Sequence, residues 1–178
     1  MSRIRRFTPL ARVGLVSLAL AAPLAIAGHL NVLLNADMDG REEVNTGNNN
    51  AVVGDPDGRG EAYVFGIDGR TDVVCYNLRV RRIAELDQAP LAGVRMAHIH
   101  RGKRGENGPV VANLAWPQGG QSADCLDGLS QRARFAADVV PTALVVDLLA
   151  NPENYYVNVH NDEHRSGAIR GQLRVALD

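Results

Sequence analysis

The sequence predicts an all-β protein, an antiparallel, Greek-key-like β-sandwich or barrel with one short helix after an N-terminal signal peptide. Three observations support this fold class. Short segments rich in β-branched and aromatic residues recur along the chain, turn residues separate most of them, and only one segment has helical character. There is no alternation of strands with helices that would indicate a parallel sheet. A length of 178 residues suits a single domain.

Eight segments have the composition and alternation of strands. The first alternates apolar residues with polar ones, as a half-buried strand does. The long polar stretch over residues 37–60 is predicted to be a turn-rich connection. The helical segment, 141–150, starts at a proline, which a first helical turn tolerates, and ends at Asn151-Pro152. The predicted strands are 30–36, 61–67, 73–80, 94–101, 110–116, 130–136, 155–161 and 168–177.

Residues 1–27 have the three parts of a secretory signal peptide. Four arginines precede an apolar stretch that begins at residue 13, and this stretch ends in the small-x-small sequence Ala25-Ile26-Ala27. A membrane anchor is the alternative, but about 15 apolar residues fall short of the roughly 20 that span a bilayer. We therefore expect cleavage, and a mature chain that forms one domain over residues 28–178.

The rest of the chain indicates an extracytoplasmic address. No second apolar run approaches spanning length, so we expect no membrane span after cleavage and a secreted, periplasmic or cell-surface protein. The formal net charge is -1 and becomes more negative without the N-terminal arginines. This balance gives no reason to expect binding to nucleic acid or to an anionic membrane.

Two cysteines, Cys75 and Cys125, are present. In an oxidising compartment an even pair most simply forms a disulfide. Two free thiols or a thiolate metal site remain the alternatives, although no CxxC spacing accompanies the pair.

Three histidines are candidate ligands of a metal ion. His98 and His100 are two residues apart in a predicted strand, so their side chains point to the same face. His160 ends another strongly β-prone run. Three neutral imidazoles with an open fourth position suit zinc or copper, and polar groups at 162–164 are candidates to complete or orient the set. The alternative is that these histidines bond to backbone and carboxylates and bind no metal.

Other motifs are weaker. Residues 35–40 match the start of an EF-hand loop, but the twelfth position is Thr46 instead of the bidentate glutamate, so ordinary turn chemistry is the better interpretation. Glu42 and Glu43 are adjacent acids that we expect to be solvated. GxSxG, P-loop and HExxH signatures are absent from the sequence, which leaves enzymatic activity undecided.

Two long stretches identify a family resemblance. Residues 97–111 read AHIHRGKRGENGPVV, and residues 155–161 read YYVNVHN, followed by GAIRGQL at 167–173. Together they closely resemble the CHRD domain, a module named after chordin and found in many secreted bacterial proteins. The resemblance covers roughly residues 30–174 and implies an extracellular β-sandwich-like domain. Because chordin antagonises secreted growth factors, the resemblance also suggests protein binding.

A looser similarity connects the chain to copper-zinc superoxide dismutase-like β-sandwiches. That enzyme also has two histidines on one face of a strand and a further histidine on a late strand. The analogy fits His98, His100 and His160, but the other zinc ligands and the active-site arginine have no equivalents here. It supports a metal-site geometry more than it supports dismutation.

Two functional hypotheses follow. The first is a non-catalytic extracellular binding module that recognises a protein, a glycan or a component of the cell envelope. The second is a copper- or zinc-binding protein, open to redox chemistry, with His98, His100 and His160 as ligands. The second hypothesis requires the three imidazoles to converge on one point.

Overall fold

A computed structural model describes residues 31–47, 51–84, 96–128 and 139–176. The predicted signal peptide, 1–27, and the predicted strand 130–136 lie outside these residues. Within them the chain forms nine strands and one α-helix. In chain order these are β1 (Leu33–Asp39), β2 (Arg59–Ile67), β3 (Arg70–Arg81), β4 (Ala97–Arg101), β5 (Val110–Asn113), β6 (Gln121–Asp127), α1 (Thr142–Ala150), β7 (Tyr155–Val159), β8 (Ile169–Gln172) and β9 (Arg174–Val175).

The strands of the described residues form one antiparallel sheet. Its order is β5-β4-β7-β8-β1-β2-β3-β6, and β9 pairs with β1 beside this path. The sheet curls into a half-barrel. The predicted fold class, all-β and antiparallel with one short helix, is therefore confirmed.

The core lies on one face of this sheet. Leu34, Ala36 and Met38 alternate along β1 with more exposed neighbours, and each is at most 2% exposed. Helix α1 packs against β2 and β3 and buries its apolar stripe in the same core. The members of that stripe are Leu144, Val145, Leu148 and Leu149. Burial of these side chains is the main force that holds the helix on the sheet.

The turn-rich connection was predicted to begin at residue 37, and this boundary is wrong. Strand β1 continues through Asp39, because Met38 is buried while the flanking aspartates face the other side. The EF-hand-like acids therefore belong to a strand and the 3-10 turn that follows it, Gly40–Glu42. Further along, Asp55 Oδ1 accepts hydrogen bonds at 3.0 Å from the backbone N–H groups of Asp57 and Gly58. This is ordinary turn chemistry of an aspartate.

Strand β6 was not among the predicted strands, because the sequence of Gln121–Asp127 has no apolar alternation. In the structure this strand is also largely exposed. It pairs with β3 at one edge of the sheet, and its register places Cys125 directly opposite Cys75. These two cysteines form a disulfide, as predicted. Among the described residues, no helix combines the length and the apolarity that a bilayer crossing requires.

Candidate metal site

The candidate site lies on the face of β4 and β7 that is turned away from the core. Strand β4 alternates Ala97 and Ile99, both 0% exposed in the core, with His98 and His100 on the other side. In the adjacent strand β7, Asn158 is paired with His98 and Tyr156 with His100. Pairing across the two strands therefore brings the polar side chains of one face into contact.

The structure brings the third histidine to the same place. His160 follows the last residue of β7, and its backbone N–H donates to Met96 O at 2.7 Å, which extends the pairing to β4. Its ring centroid lies 5.0 Å from that of His98 and 6.3 Å from that of His100, and the latter two rings are 5.4 Å apart. One ligand nitrogen from each of the three side chains lies within 4.8 Å of the others.

Two backbone carbonyls determine how His100 and His160 present their nitrogens. His100 Nδ1 lies 2.9 Å from Gly108 O, and His160 Nδ1 lies 3.0 Å from Arg165 O. Because a carbonyl oxygen only accepts, each Nδ1 is the donor and each Nε2 retains its lone pair. Within the described ranges, both Nε2 atoms are buried and have no hydrogen-bond partner.

Burial keeps these two imidazoles neutral. It lowers the pKa of His100 to about 4, even though the hydrogen bond to Gly108 opposes the shift. Burial also lowers the pKa of His160, again against the effect of its carbonyl partner. A neutral imidazole with a free Nε2 is the form that coordinates a metal ion.

The ring of His100 stacks on Tyr156, which in turn contacts Arg170. The His100 ring lies 4.7 Å from the ring of Tyr156 at an interplanar angle of 11°. The guanidinium carbon of Arg170 is 3.4 Å from the centroid of the same tyrosine ring, so the two groups occupy opposite faces. Arg170 also donates to Lys103 O at 3.0 Å and to Asn107 Oδ1 at 3.3 Å. These contacts fix the segment that carries the carbonyl partner of His100.

The sequence alone does not determine whether Arg170 pairs with an acidic residue or is exposed to solvent. Arg170 is in fact 2% exposed. Asp147 instead accepts hydrogen bonds from Arg101 and from Tyr155 on the other side of the sheet. A basic residue inside the β-prone run at 168–177 was the only signal in the sequence, and it does not distinguish a buried arginine from an exposed one.

The expectation that Glu42 and Glu43 are both solvated is wrong for Glu43. The side chain of Glu42 pairs with Arg104 at the surface, whereas Glu43 turns inward and Asn158 Nδ2 donates to its Oε2 at 3.4 Å. Burial raises the pKa of Glu43 to about 7, against the opposing effects of the Arg170 charge and the Asn158 hydrogen bond. A half-buried carboxyl with such a shift is a feature common at functional sites.

The polar groups at 162–164 do not join the histidine cluster. In the part of the chain that the structure describes, the group with metal-ligand spacing consists of His98, His100 and His160. Asp162 is paired with Arg165, and the backbone N–H of His164 donates to Asn161 Oδ1 at 2.6 Å. The loop after His160 therefore shapes the site through backbone contacts.

Three imidazole nitrogens are a donor set that suits a borderline transition metal. Zinc and copper accept imidazole nitrogens, whereas calcium and magnesium prefer oxygen. Nitrogens about 2.0 to 2.1 Å from a tetrahedral zinc ion are roughly 3.3 Å apart. In this structure the three ligand nitrogens lie within 4.8 Å of one another.

The fold and this site define a class of protein, a disulfide-bonded all-β domain that gathers polar side chains on one protected face of its sheet. Residues 34–173 match the family model of the CHRD domain, and the chain belongs to that family. The resemblance found in the sequence is thus confirmed. No curated protein and no solved structure matches the chain, so the similarity to superoxide dismutase stays an expectation.

Proposed function

We propose that this CHRD-domain protein is a secreted or periplasmic binding module whose ligand is a copper or zinc ion held by His98, His100 and His160. The proposal rests on one observation. Two of the three clustered imidazoles are held by backbone carbonyls at Nδ1, so that their buried Nε2 atoms keep free lone pairs.

The energetic argument concerns those two nitrogens. A buried acceptor without a partner costs about 1 to 3 kcal/mol, so leaving two of them inside a folded protein is unfavourable. Coordination of one ion satisfies both and also uses His98. The neutral state of the rings adds support, because protonated histidines would repel a cation.

The cellular address is part of the proposal. We infer that residues 1–27 are removed on export and that residues 28–178 act as a single domain outside the cytoplasm. CHRD membership and the Cys75–Cys125 disulfide support an extracellular or periplasmic location. This inference covers both a free protein and one attached at the cell surface.

A second candidate function is recognition of an extracellular protein, a glycan or a cell-envelope component. CHRD membership supports it, because the resemblance to this family suggests an extracellular binding module. This function does not require metal, and the two can be separated experimentally. No catalytic step is part of either candidate.

The test measures the metal content and affinity of the mature protein, prepared without a metal-affinity tag. We expect about one equivalent of copper or zinc by elemental analysis. A His98→Ala, His100→Ala variant should lose it, with affinity reduced by more than about a hundredfold, because loss of an outer-shell partner alone costs 10- to 100-fold. His164→Ala is the matched control, since it removes a nearby imidazole that lies outside the cluster.

Two results would overturn the metal proposal. One is wild-type protein that contains no copper or zinc and rejects both when they are added. The other is unchanged affinity in the double variant, with circular dichroism showing that the fold is intact. The first result would also direct attention to the second candidate function.

A further inference from the structure

A cavity of about 320 Å³ lies beside the histidine cluster and extends away from it. Its size is at the lower end of small-molecule pockets. Its walls come from several separate parts of the chain, which the folded sheet brings together. They are residues 43–46, 107–108 and 166–167, together with Val53, His100, Tyr156 and Asn158.

Two residues of this cavity wall each carry a buried acceptor atom. Asn158 is 4% exposed, its Nδ2 donates to Glu43 Oε2, and its Oδ1 is buried. Glu43 Oε1 is buried as well. Among the described residues, neither oxygen has a hydrogen-bond partner, so both require donors from water or from a ligand.

The charge of the cavity favours a cation. Glu43 is the acidic side chain of the wall, and no lysine or arginine lines the cavity in the described ranges. Arg170 lies outside this wall, behind the ring of Tyr156, and directs its hydrogen bonds to Lys103 and Asn107. Its charge also acts on Glu43, however, and offsets part of the carboxylate charge. Burial disfavours the ionised form of Glu43, as its raised pKa shows, and a cation in the cavity would offset this cost.

Gly167 leaves the room that Glu43 needs. A Cβ atom at this position would lie 2.4 Å from Glu43 Oε2, well inside van der Waals contact. Its φ of 142° is also one that side-chain-bearing residues rarely adopt. The loop after His160 thus contributes a glycine where the carboxyl group packs against the backbone.

We propose that this cavity is a second ligand site, which binds a small alkylammonium compound through hydrogen bonds from its amine to Glu43 and Asn158. An ammonium group supplies up to three donors and one positive charge, which matches two acceptors and one carboxyl group. The aliphatic side chains of the wall, Val44 and Val53, contact the alkyl portion. The site does not depend on a metal ion.

The experiment uses full-length mature protein freed of metal with a chelator, at pH 8. Butylammonium, butanol and butyrate are titrated separately while NMR follows the side-chain amide of Asn158 and the backbone amides of Gly108 and Gly167. We expect saturable shifts with butylammonium and much weaker ones with the neutral and anionic analogues of the same length. Because no metal is present, the result of this titration does not depend on the metal proposal and does not test it.

Glu43→Gln is the decisive variant, because it keeps the size of the side chain and removes its charge. It should weaken butylammonium binding by about tenfold or more, as expected for loss of one charge-assisted hydrogen bond. Glu42→Gln is the matched control, an adjacent acid that pairs with Arg104 outside the cavity wall.

Three results would overturn the proposal. They are the absence of saturable shifts at the cavity residues of the wild-type protein, equal binding of butanol or butyrate, and equal weakening by Glu42→Gln and Glu43→Gln. The first needs no variant, so the proposal can fail even if Glu43→Gln does not fold.

Discussion

The two faces of the β4–β7 strand pair are both protected from solvent, yet they are built from opposite chemistry. The core face presents the apolar side chains of Ile99 and Val157, each 0% exposed and packed in the core. The other face presents His100 and Asn158, 9% and 4% exposed, and some of their polar atoms lack partners among the described residues. Burial stabilises the first face and costs free energy on the second.

The difference separates stability from binding. An apolar face needs nothing from outside the protein, whereas a buried polar face is complete only when water, a metal ion or another ligand supplies the missing partners. We therefore expect substitutions on the core face to change the free energy of unfolding without changing ligand affinity, and substitutions on the polar face to change ligand affinity, with smaller effects on stability. The following predictions test this division, from the largest expected effect to the smallest.

Truncation of the core face should have the largest effect on stability. Ile99→Ala should lower the free energy of unfolding by about 2 to 5 kcal/mol, because it removes a fully buried side chain and leaves a cavity. Chemical denaturation would measure this. Val146→Ala is the control, since Val146 lies on α1 and is 40% exposed. If folded Ile99→Ala protein lost metal affinity, the proposed separation between a stabilising core face and a ligand-binding polar face would be contradicted.

Removal of the disulfide should come next. The disulfide links two cysteines that are 50 residues apart in the sequence. For a loop of that length the chain-entropy model gives a stabilisation of at most about 4 kcal/mol. A Cys75→Ala, Cys125→Ala variant should therefore unfold at lower denaturant and still bind metal. The bond lies on β3 and β6, far along the sheet order from β4 and β7. A variant that loses metal binding while folded would show that the distant edge does shape the site.

Arg170→Lys should affect both quantities moderately. Lysine keeps the charge but lacks the planar group that stacks on Tyr156 and holds the segment with Gly108. We expect a loss of about 1 to 3 kcal/mol in stability and roughly tenfold in metal affinity, typical of an outer-shell change. Arg174→Lys is the control, an exposed arginine on β9 that pairs with Asp37. Equal metal affinity in all three proteins would remove Arg170 from the support of His100.

The smallest effect concerns the pH dependence of stability. The pKa of Glu43 is raised from 4.5 to about 7 in the folded state, so the folded protein binds a proton more tightly than the unfolded chain does. Its contribution to stability is complete below about pH 4.5 and is lost as the pH rises to about 7. Glu43→Gln should flatten this dependence and stabilise the protein at pH 8 by roughly 1 to 3 kcal/mol. Unfolding curves at pH 5 and pH 8 would measure it, and parallel curves for variant and wild type would contradict it.

Local patterns were enough to predict most of the described fold. Strands β2, β3, β4, β5 and β7 and helix α1 fall within or near the segments expected from alternation, turn residues and the Pro and Asn-Pro boundaries of the helix. The run predicted at 168–177 divides into β8 and β9, with buried Leu173 between them. The same-face relation of His98 and His100 also follows from the two-residue period of a strand.

Other features depended on partners distant in the chain. Strand β6 has no apolar alternation of its own and exists because β3 offers an edge to pair with. The burial of Glu43 and Arg170 arises because the loops after β1 and β4 meet over the polar face of β7 and β8. No local pattern encodes such an arrangement, since the same residues would be solvated in isolation.

The sequence by itself determined the fold class, the cysteine pair, the family and the three candidate histidines, because each depends on short-range periodicity, composition or a long specific motif. Only the tertiary structure decided that His100 and His160 keep a free lone pair on Nε2, and that Glu43 and Asn158 line a cavity beside them. The physical reason is that tautomer, burial and pKa are properties of the surroundings, which in this protein come from strands and loops separated by many residues.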